Sequence, residues 1–253
     1  MIIELFQSLF TSCPFSVRKM GYLTELIAIG ARYKRQDIYW SSHLRNSKHY
    51  ILKEAKKSEK KDIINVIGAG ILLDIPLDEL AKEFKTVNLI DIVFLPILKK
   101  KIRYYNNVNC IQCDVSGVVE EVYKNKKECS PQIVNLPKAD VTVSANLLSQ
   151  LPLLPMEYLN SENNNWGKEI IEKHIELIKR CSPLSILICE TNQLYKDKSS
   201  HTLEDNDMML GAVLPAPQDE WTWQIAPLGE ASKDYSIEGT VKAFTFHQTH
   251  ILG

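Results

Sequence analysis

The chain has almost no net charge. Thirty lysines and arginines stand against 31 aspartates and glutamates, a formal −1 over 253 residues. No global field therefore draws it to nucleic acid or to an anionic membrane, and any such partner would need a local patch. Long apolar runs are missing too: nothing approaches the ~18–20 residues of a membrane span. Met1 to Phe10 is apolar but has no basic leader, which argues against a secretory signal. The six cysteines (13, 110, 113, 129, 181 and 189) are scattered. Cys110 and Cys113 have a zinc-like spacing, but a second pair is lacking and the first falls in an expected strand, so no metal site is expected. Cysteines in core elements behave as small apolar residues and suit a reducing cytoplasm, the expected location. Internal repeats and low-complexity segments are absent. What is present is an ordinary composition, 45% hydrophobic and 24% charged, long enough for one large core with an appendage.

The most informative stretch is residues 63 to 91. Ile63 to Ile67 is a short apolar run of the kind that forms a strand buried on both faces. Gly68-Ala69-Gly70 follows at once, where glycines allow a sharp turn and close approach of a ligand. Pro76 suits a first helical position, and Asp78 and Glu79 in the first turn complement the helix dipole. Leu77, Leu80, Ala81 and Phe84 then form the stripe of a sheet-covering helix. Val87 to Ile90 reads as the second strand. Asp91 at its carboxyl end is placed to accept hydrogen bonds from both hydroxyls of a ribose. About twenty residues separate the second glycine from that acid, the spacing of a nucleoside-binding βαβ unit.

This stretch resembles the first half of class I S-adenosylmethionine-dependent methyltransferases. Gly68 and Gly70 match the family's glycine motif, and Asp91 its ribose-binding acid. Two positions depart from it: Val66 stands where the family has an acid, and Leu72 where it has a third glycine. Asp74 is the nearest carboxylate and is expected either to replace the missing acid near the methionine ammonium or to cap the next helix. The resemblance implies a three-layer Rossmann-like α/β sandwich, a mostly parallel seven-stranded sheet ending in an antiparallel strand, with S-adenosyl-L-methionine as cofactor and no required metal. It spans roughly residues 60 to 250, giving a domain at 61–253 behind an N-terminal helical cap at 1–60.

The rest of the chain fits that frame. Residues 16 to 58 read as helical, with a second helix over 40 to 58, and Lys56 to Lys61 as a solvated helix end. Trp40, His43 and Arg45 gather an aromatic, an imidazole and a guanidinium. Trp40 and His43 share a helix face at i, i+3 and are either a substrate clamp or core residues. A basic helix is expected over 97 to 105. Val108 to Asp114 reads as the third strand. By the resemblance Asp114 meets the amine of adenine, although Asp-Val-Ser also makes a good cap. A covering helix over 116 to 126 and a loop over 128 to 138 lead to a fourth strand, Ala139 to Asn146. By the resemblance Asn146 to Gln150 flank the methyl donor, and they lack the Asn-Pro-Pro-Tyr pattern of enzymes that methylate adenine, cytosine or glutamine amides. The resemblance thus implies cofactor contacts from Gly68, Ala69, Gly70, Asp74, Asp91, Ile92, Asp114, Val115, Asn146 and Leu147.

Trp166 to Arg180 is an amphipathic helix with His174 by its apolar face, expected as a core residue. Leu184 to Glu190 reads as the fifth strand, and residues 191 to 219 as an irregular segment, a lid or disordered. Glu220 to Ala226 and Thr240 to His247 alternate with period two, as an antiparallel hairpin. Catalytic candidates are His43 and Glu190, the latter at the functional edge of the sheet. Substrate candidates are Trp40, Gln150 and Trp223. The expected activity is methyl transfer to a small molecule in a partly enclosed pocket, with nucleic acid disfavoured and the oligomeric state open. Two other classes compete. One is a methyltransferase-like scaffold without turnover. The other is an NAD-dependent oxidoreductase, whose fingerprint needs a glycine where Leu73 stands.

Overall fold

The structure, a computed structural model, describes residues 7–248. Most of the Met1 to Phe10 stretch read against a leader lies outside the described residues.

Apolar periodicity sets the elements. After a helical turn at residues 7–10 come α1 (Phe15–Lys19) and α2 (Tyr22–Ala55), then β1 (Ile63–Ile67), α3 (Leu77–Glu83), β2 (Thr86–Asp91), α4 (Pro96–Ile102), β3 (Val108–Gln112), α5 (Val119–Asn125) and β4 (Val141–Ala145). A short 3-10 turn (Leu148–Gln150) leads to α6 (Leu153–Leu159), α7 (Asn164–Cys181), β5 (Leu184–Asp197), β6 (Thr202–Asp207), β7 (Asp219–Ala226) and β8 (Tyr235–His247).

All eight strands share one sheet. Its main path of seven runs β3-β2-β1-β4-β5-β8-β7, and β6 pairs with β5 off that path. The pairs β1–β2, β1–β4, β2–β3 and β4–β5 are parallel, whereas β8 runs antiparallel to both β5 and β7. Helices cover both faces, giving a three-layer Rossmann-like sandwich. One face packs Ile67, Ile90 and Leu187 against α5 and α7; the other packs Ile64, Leu89 and Val143 against α3, α4 and the end of α2. Register across the first strands is pinned by side-chain amides: Asn88 Nδ2 donates to Asn65 Oδ1 at 2.9 Å, and Asn109 Nδ2 to Asn88 Oδ1 at 3.3 Å. These three residues pair directly across β1, β2 and β3. A one-residue slip would leave the buried Asn65 and Asn88 amides unpaired, at a cost of about 1–3 kcal/mol for each orphaned group.

The two helices expected between 16 and 58 are the two lengths of α2, which meet at a kink at Gln36 (φ −120°, ψ 17°). One sequence expectation needs correction. Residues 191 to 219 are not wholly irregular: β5 continues from Glu190 to Asp197 and turns into β6. β4 ends at Ala145, and beyond it β6 takes its place beside β5, while β8 follows β5 along its whole length. A polar ribbon therefore rises past the carboxyl ends of the parallel strands. Among the described residues no helix is long and apolar enough to cross a membrane, and no group of three or more His, Cys, Asp or Glu could hold a metal.

Candidate active site

A cavity of about 400 Å³ lies over the carboxyl ends of the parallel strands, where sheets of this kind bind ligands. Every residue named from the sequence as a site candidate lines it: Gly68, Ala69, Gly70, Asp74, Asp91, Ile92, Asp114, Val115, Asn146, Leu147 and Gln150, together with Trp40, His43, Glu190 and Trp223. Sequence reading did not find Tyr22, Glu25, Leu26, Ile29 and Arg32, which roof the cavity from the first half of α2, nor Gln193 and Met208 from the ribbon.

The glycine turn is shaped by backbone demand. Gly68 (φ +77°) and Gly70 (φ +52°) both sit in the left-handed region. A Cβ on Gly68 would meet Leu147 Cβ at 3.0 Å and the Ala145 carbonyl at 3.2 Å, whereas one on Gly70 would project into open space with nothing nearer than 3.9 Å. That open space is room a ligand can fill. Leu72, where the family has its third glycine, holds φ +63°. Its side chain is buried against the core, which offsets a strain of about 1–2 kcal/mol.

Three acids ring this half. Asp91 Oδ2 accepts from the Gly70 N–H and Oδ1 from the Ile92 N–H, both at 2.7 Å. Enclosure by protein nevertheless raises its carboxyl to about 6. Asp74 Oδ2 accepts from Asn146 Nδ2 at 2.6 Å, and burial pushes its carboxyl up as well; Pro76 takes the N-cap place of α3, which has no side-chain cap. Asp114 Oδ1 accepts from Ser116 N–H and hydroxyl, and Oδ2 from the Val119 N–H at 2.9 Å, so it also fixes the start of α5. A carboxylate has about four acceptor sites, so ligand contacts remain open to it. Asn146 Oδ1 and the Tyr22 hydroxyl are buried with no partner. Burial, then the nearby Asp114 charge, hold the Tyr22 phenol well above its ordinary pKa.

The other half is aromatic. His43 stacks on Trp223 with ring centroids 4.2 Å apart, and Trp40 meets Trp223 edge-on at 5.1 Å. Trp40 Nε1 donates to the Ile225 carbonyl at 3.0 Å. Trp221 Nε1 donates to His43 Nδ1 at 3.1 Å, and burial lowers the His43 pKa to about 3. A neutral imidazole that accepts at Nδ1 carries its proton on Nε2, so His43 is a donor there. Glu190 is 4% exposed and burial raises its carboxyl to about 7. One oxygen accepts from Gln193 Nε2 at 3.2 Å; the other, Oε1, has no partner, and neither has Trp223 Nε1. A register shift between Glu190 and Asn192 marks a bulge, a device that re-aims side chains beside sites.

His174 lies away from the cavity, buried, with Nε2 2.8 Å from the Ser144 hydroxyl. Gly239, in the middle of β8, was also missed. An isolated glycine inside a strand pattern marks close approach, and a Cβ there would meet Glu190 Oε1 at 2.4 Å.

No family model and no curated protein matches the chain. Among solved structures it is similar to the N-methyltransferase NodS from Bradyrhizobium japonicum WM9 bound to S-adenosyl-L-homocysteine, at 13% identity over 78% of this chain and 86% of that one, TM-score 0.39. A DhpI–SAM–HEP complex matches at 9% over 90% and 99%, TM-score 0.45. The Burkholderia thailandensis 1,6-didemethyltoxoflavin-N1-methyltransferase matches at 12% over 85% and 88%, TM-score 0.42. At these identities and scores they assign no activity to this chain.

Proposed function

We propose that the protein transfers a methyl group from S-adenosyl-L-methionine to a small-molecule acceptor. The observation that carries this is the Asp91 carboxylate, bound to the Gly70 N–H at the carboxyl end of β2. It faces the open space above Gly70 in a parallel sheet closed by antiparallel strands. The residues fit the cofactor. Asp91 suits the ribose hydroxyls, Asp114 an adenine amine, and Asp74 with the unpartnered Asn146 Oδ1 a methionine ammonium. Bound there, the cofactor would supply a methyl on an activated sulfonium, the electrophile for a lone pair of the acceptor.

The chain's own work is to position and to move a proton. The roof of α2 and the ribbon limit water and hold the acceptor, and alignment carries much of such a reaction. Glu190, with its carboxyl at about 7, is poised as a general base near neutral pH. His43 donates from Nε2. The size of the cavity suits a small molecule, and its acidic lining disfavours nucleic acid. A reducing cytoplasm is supported by six unpaired cysteines.

Thermal unfolding with S-adenosylmethionine, S-adenosylhomocysteine and NAD added separately tests this. A ligand at ~100 times its Kd adds about 2.7 kcal/mol. Stabilisation by the adenosyl compounds, abolished in Asp91→Ala, is the expected result. A shift with NAD alone would make the protein an oxidoreductase. Cofactor binding with no turnover on any metabolite mixture would leave a scaffold.

A further inference from the structure

The acceptor half of the cavity has a chemistry of its own. Gly239 on β8 pairs with Trp223 on β7 and with Gln193 on β5. Directly paired residues share a sheet face with Cβ positions about 5 Å apart. The Gly239 Cβ direction points straight at Glu190 Oε1. The Glu190 carboxylate and Ile225 Cδ1 thus fill the space over a residue that has no side chain, with Gln193 and Trp223 paired on either side of it. Both Oε1 and Trp223 Nε1 are buried there without partners.

A buried carboxylate left unpaired is costly. Among the described residues Glu190 has no ion pair. The cavity around it holds Glu25, Asp74, Asp91, Asp114 and Glu157 against one guanidinium, Arg32, which leans on Glu25 at 3.8 Å. Such a lining repels a carboxylate or phosphate and welcomes a cation. Aromatic rings also attract cations, indoles most of all, and Trp223 and Trp40 line the same cavity as Glu190.

We propose that the methyl acceptor is a primary or secondary amine that enters protonated, its nitrogen held from the cavity side by the Glu190 carboxylate that packs over Gly239, with the Trp223 indole alongside. This rests on the methyl-transfer reading of the same cavity. The ammonium N–H donates to Oε1, and the Trp223 N–H is left to an oxygen or other acceptor on the ligand. One N–H bond of the ammonium breaks as an O–H bond forms on Glu190. The nitrogen keeps the electron pair as its nucleophile, and the proton leaves Glu190 for solvent in each cycle.

The test is ligand-observed NMR on the full chain, with and without saturating S-adenosylhomocysteine. The probes are benzylamine, 2-phenylethylamine and cyclohexylmethylamine with their alcohol and carboxylate counterparts. The amines bind and their counterparts do not. Glu190→Gln weakens amine binding about tenfold or more, and Gly239→Ala, which crowds Oε1, does likewise, while both variants keep wild-type affinity for S-adenosylhomocysteine. Alcohols or carboxylates binding as well as amines in the wild type would overturn the proposal. So would amine binding that survives Glu190→Gln, or no amine binding at all. Failure of S-adenosylhomocysteine to bind would strike the methyl-transfer reading instead, and the unloaded arm still decides the seat.

Discussion

Asn146 donates from Nδ2 to Asp74 Oδ2 at 2.6 Å, tying the end of β4 to the segment after the glycine turn. The bond orients the amide so that its Oδ1 is buried and unpartnered beside a carboxylate that burial has already pushed upward in pKa. A cationic ammonium answers both groups. Asp74→Asn is expected to weaken S-adenosylmethionine and S-adenosylhomocysteine about tenfold by titration calorimetry, with little change in Tm. Unchanged affinity would confine Asp74 to holding Asn146.

Binding at Asp91 competes with a proton. Its carboxyl sits at about 6 in the free protein, and ribose hydroxyls need the ionised form. S-adenosylhomocysteine affinity is therefore full above pH 6 and falls as pH drops, by up to about tenfold per unit. Proton release on binding, read calorimetrically in two buffers at pH 5.5, accompanies it. Asp91→Asn binds weakly and without that release; a wild-type affinity flat between pH 5 and 7 would remove Asp91 from the ligand contacts.

The two glycines of the turn separate stability from binding. Both alanine variants bear a left-handed backbone, about 1–2 kcal/mol each. Gly68→Ala also presses on Leu147 and the Ala145 carbonyl, and overpacking adds about 1–3 kcal/mol. Gly70→Ala points its methyl into the cavity. Urea unfolding should rank Gly68→Ala as the less stable, while Gly70→Ala loses more S-adenosylhomocysteine affinity for each unit of stability lost. The reverse order would mean that the space above Gly70 is not the ligand's.

His174 gives the fold a pH dependence. Burial lowers its pKa to about 4 from 6.5, so between those values the unfolded chain binds the extra proton and stability rises with pH. The contribution is complete above pH 6.5 and is lost as pH falls toward 4, on the order of 3 kcal/mol. His174→Gln, which can still reach Ser144, should flatten the stability profile over that window by one proton. An unchanged slope would show that folding leaves the His174 pKa where it is in the unfolded chain.

The first two strands and their ends were legible because short buried runs such as Ile64 to Ile67 end abruptly at glycine or carboxylate. The core leaves a strong apolar imprint there. Residues 192 to 207 left none. The ribbon they form stands clear of the core, every residue of β6 is exposed, and its side chains answer to solvent, so no periodicity marks it. Leu72 was visible only as a departure; its left-handed backbone belongs to the turn and its side chain to the core, a conflict that a one-dimensional pattern does not resolve. Tyr22 and Arg32 reach the cavity through the placement of α2 across the sheet, which no local spacing encodes. Glu190 was named as the end of a strand. It stands in the middle of one, just before the bulge at Thr191.

That bulge divides β5 into two lengths with different obligations. Up to Glu190 it is packed on all sides; beyond it the strand belongs to the ribbon with β6 and β8. The two halves of the cavity are consequently made of different material. The half that holds Gly70 and Asp91 is cut into the parallel core and tolerates little change, whereas one wall of the aromatic half hangs from a ribbon whose outer strand, β6, is exposed throughout and free to lengthen, shorten or be exchanged. Molecules of this build can reshape one wall of the cavity by trading that ribbon while the pocket beside Gly70 and Asp91 stays as it is.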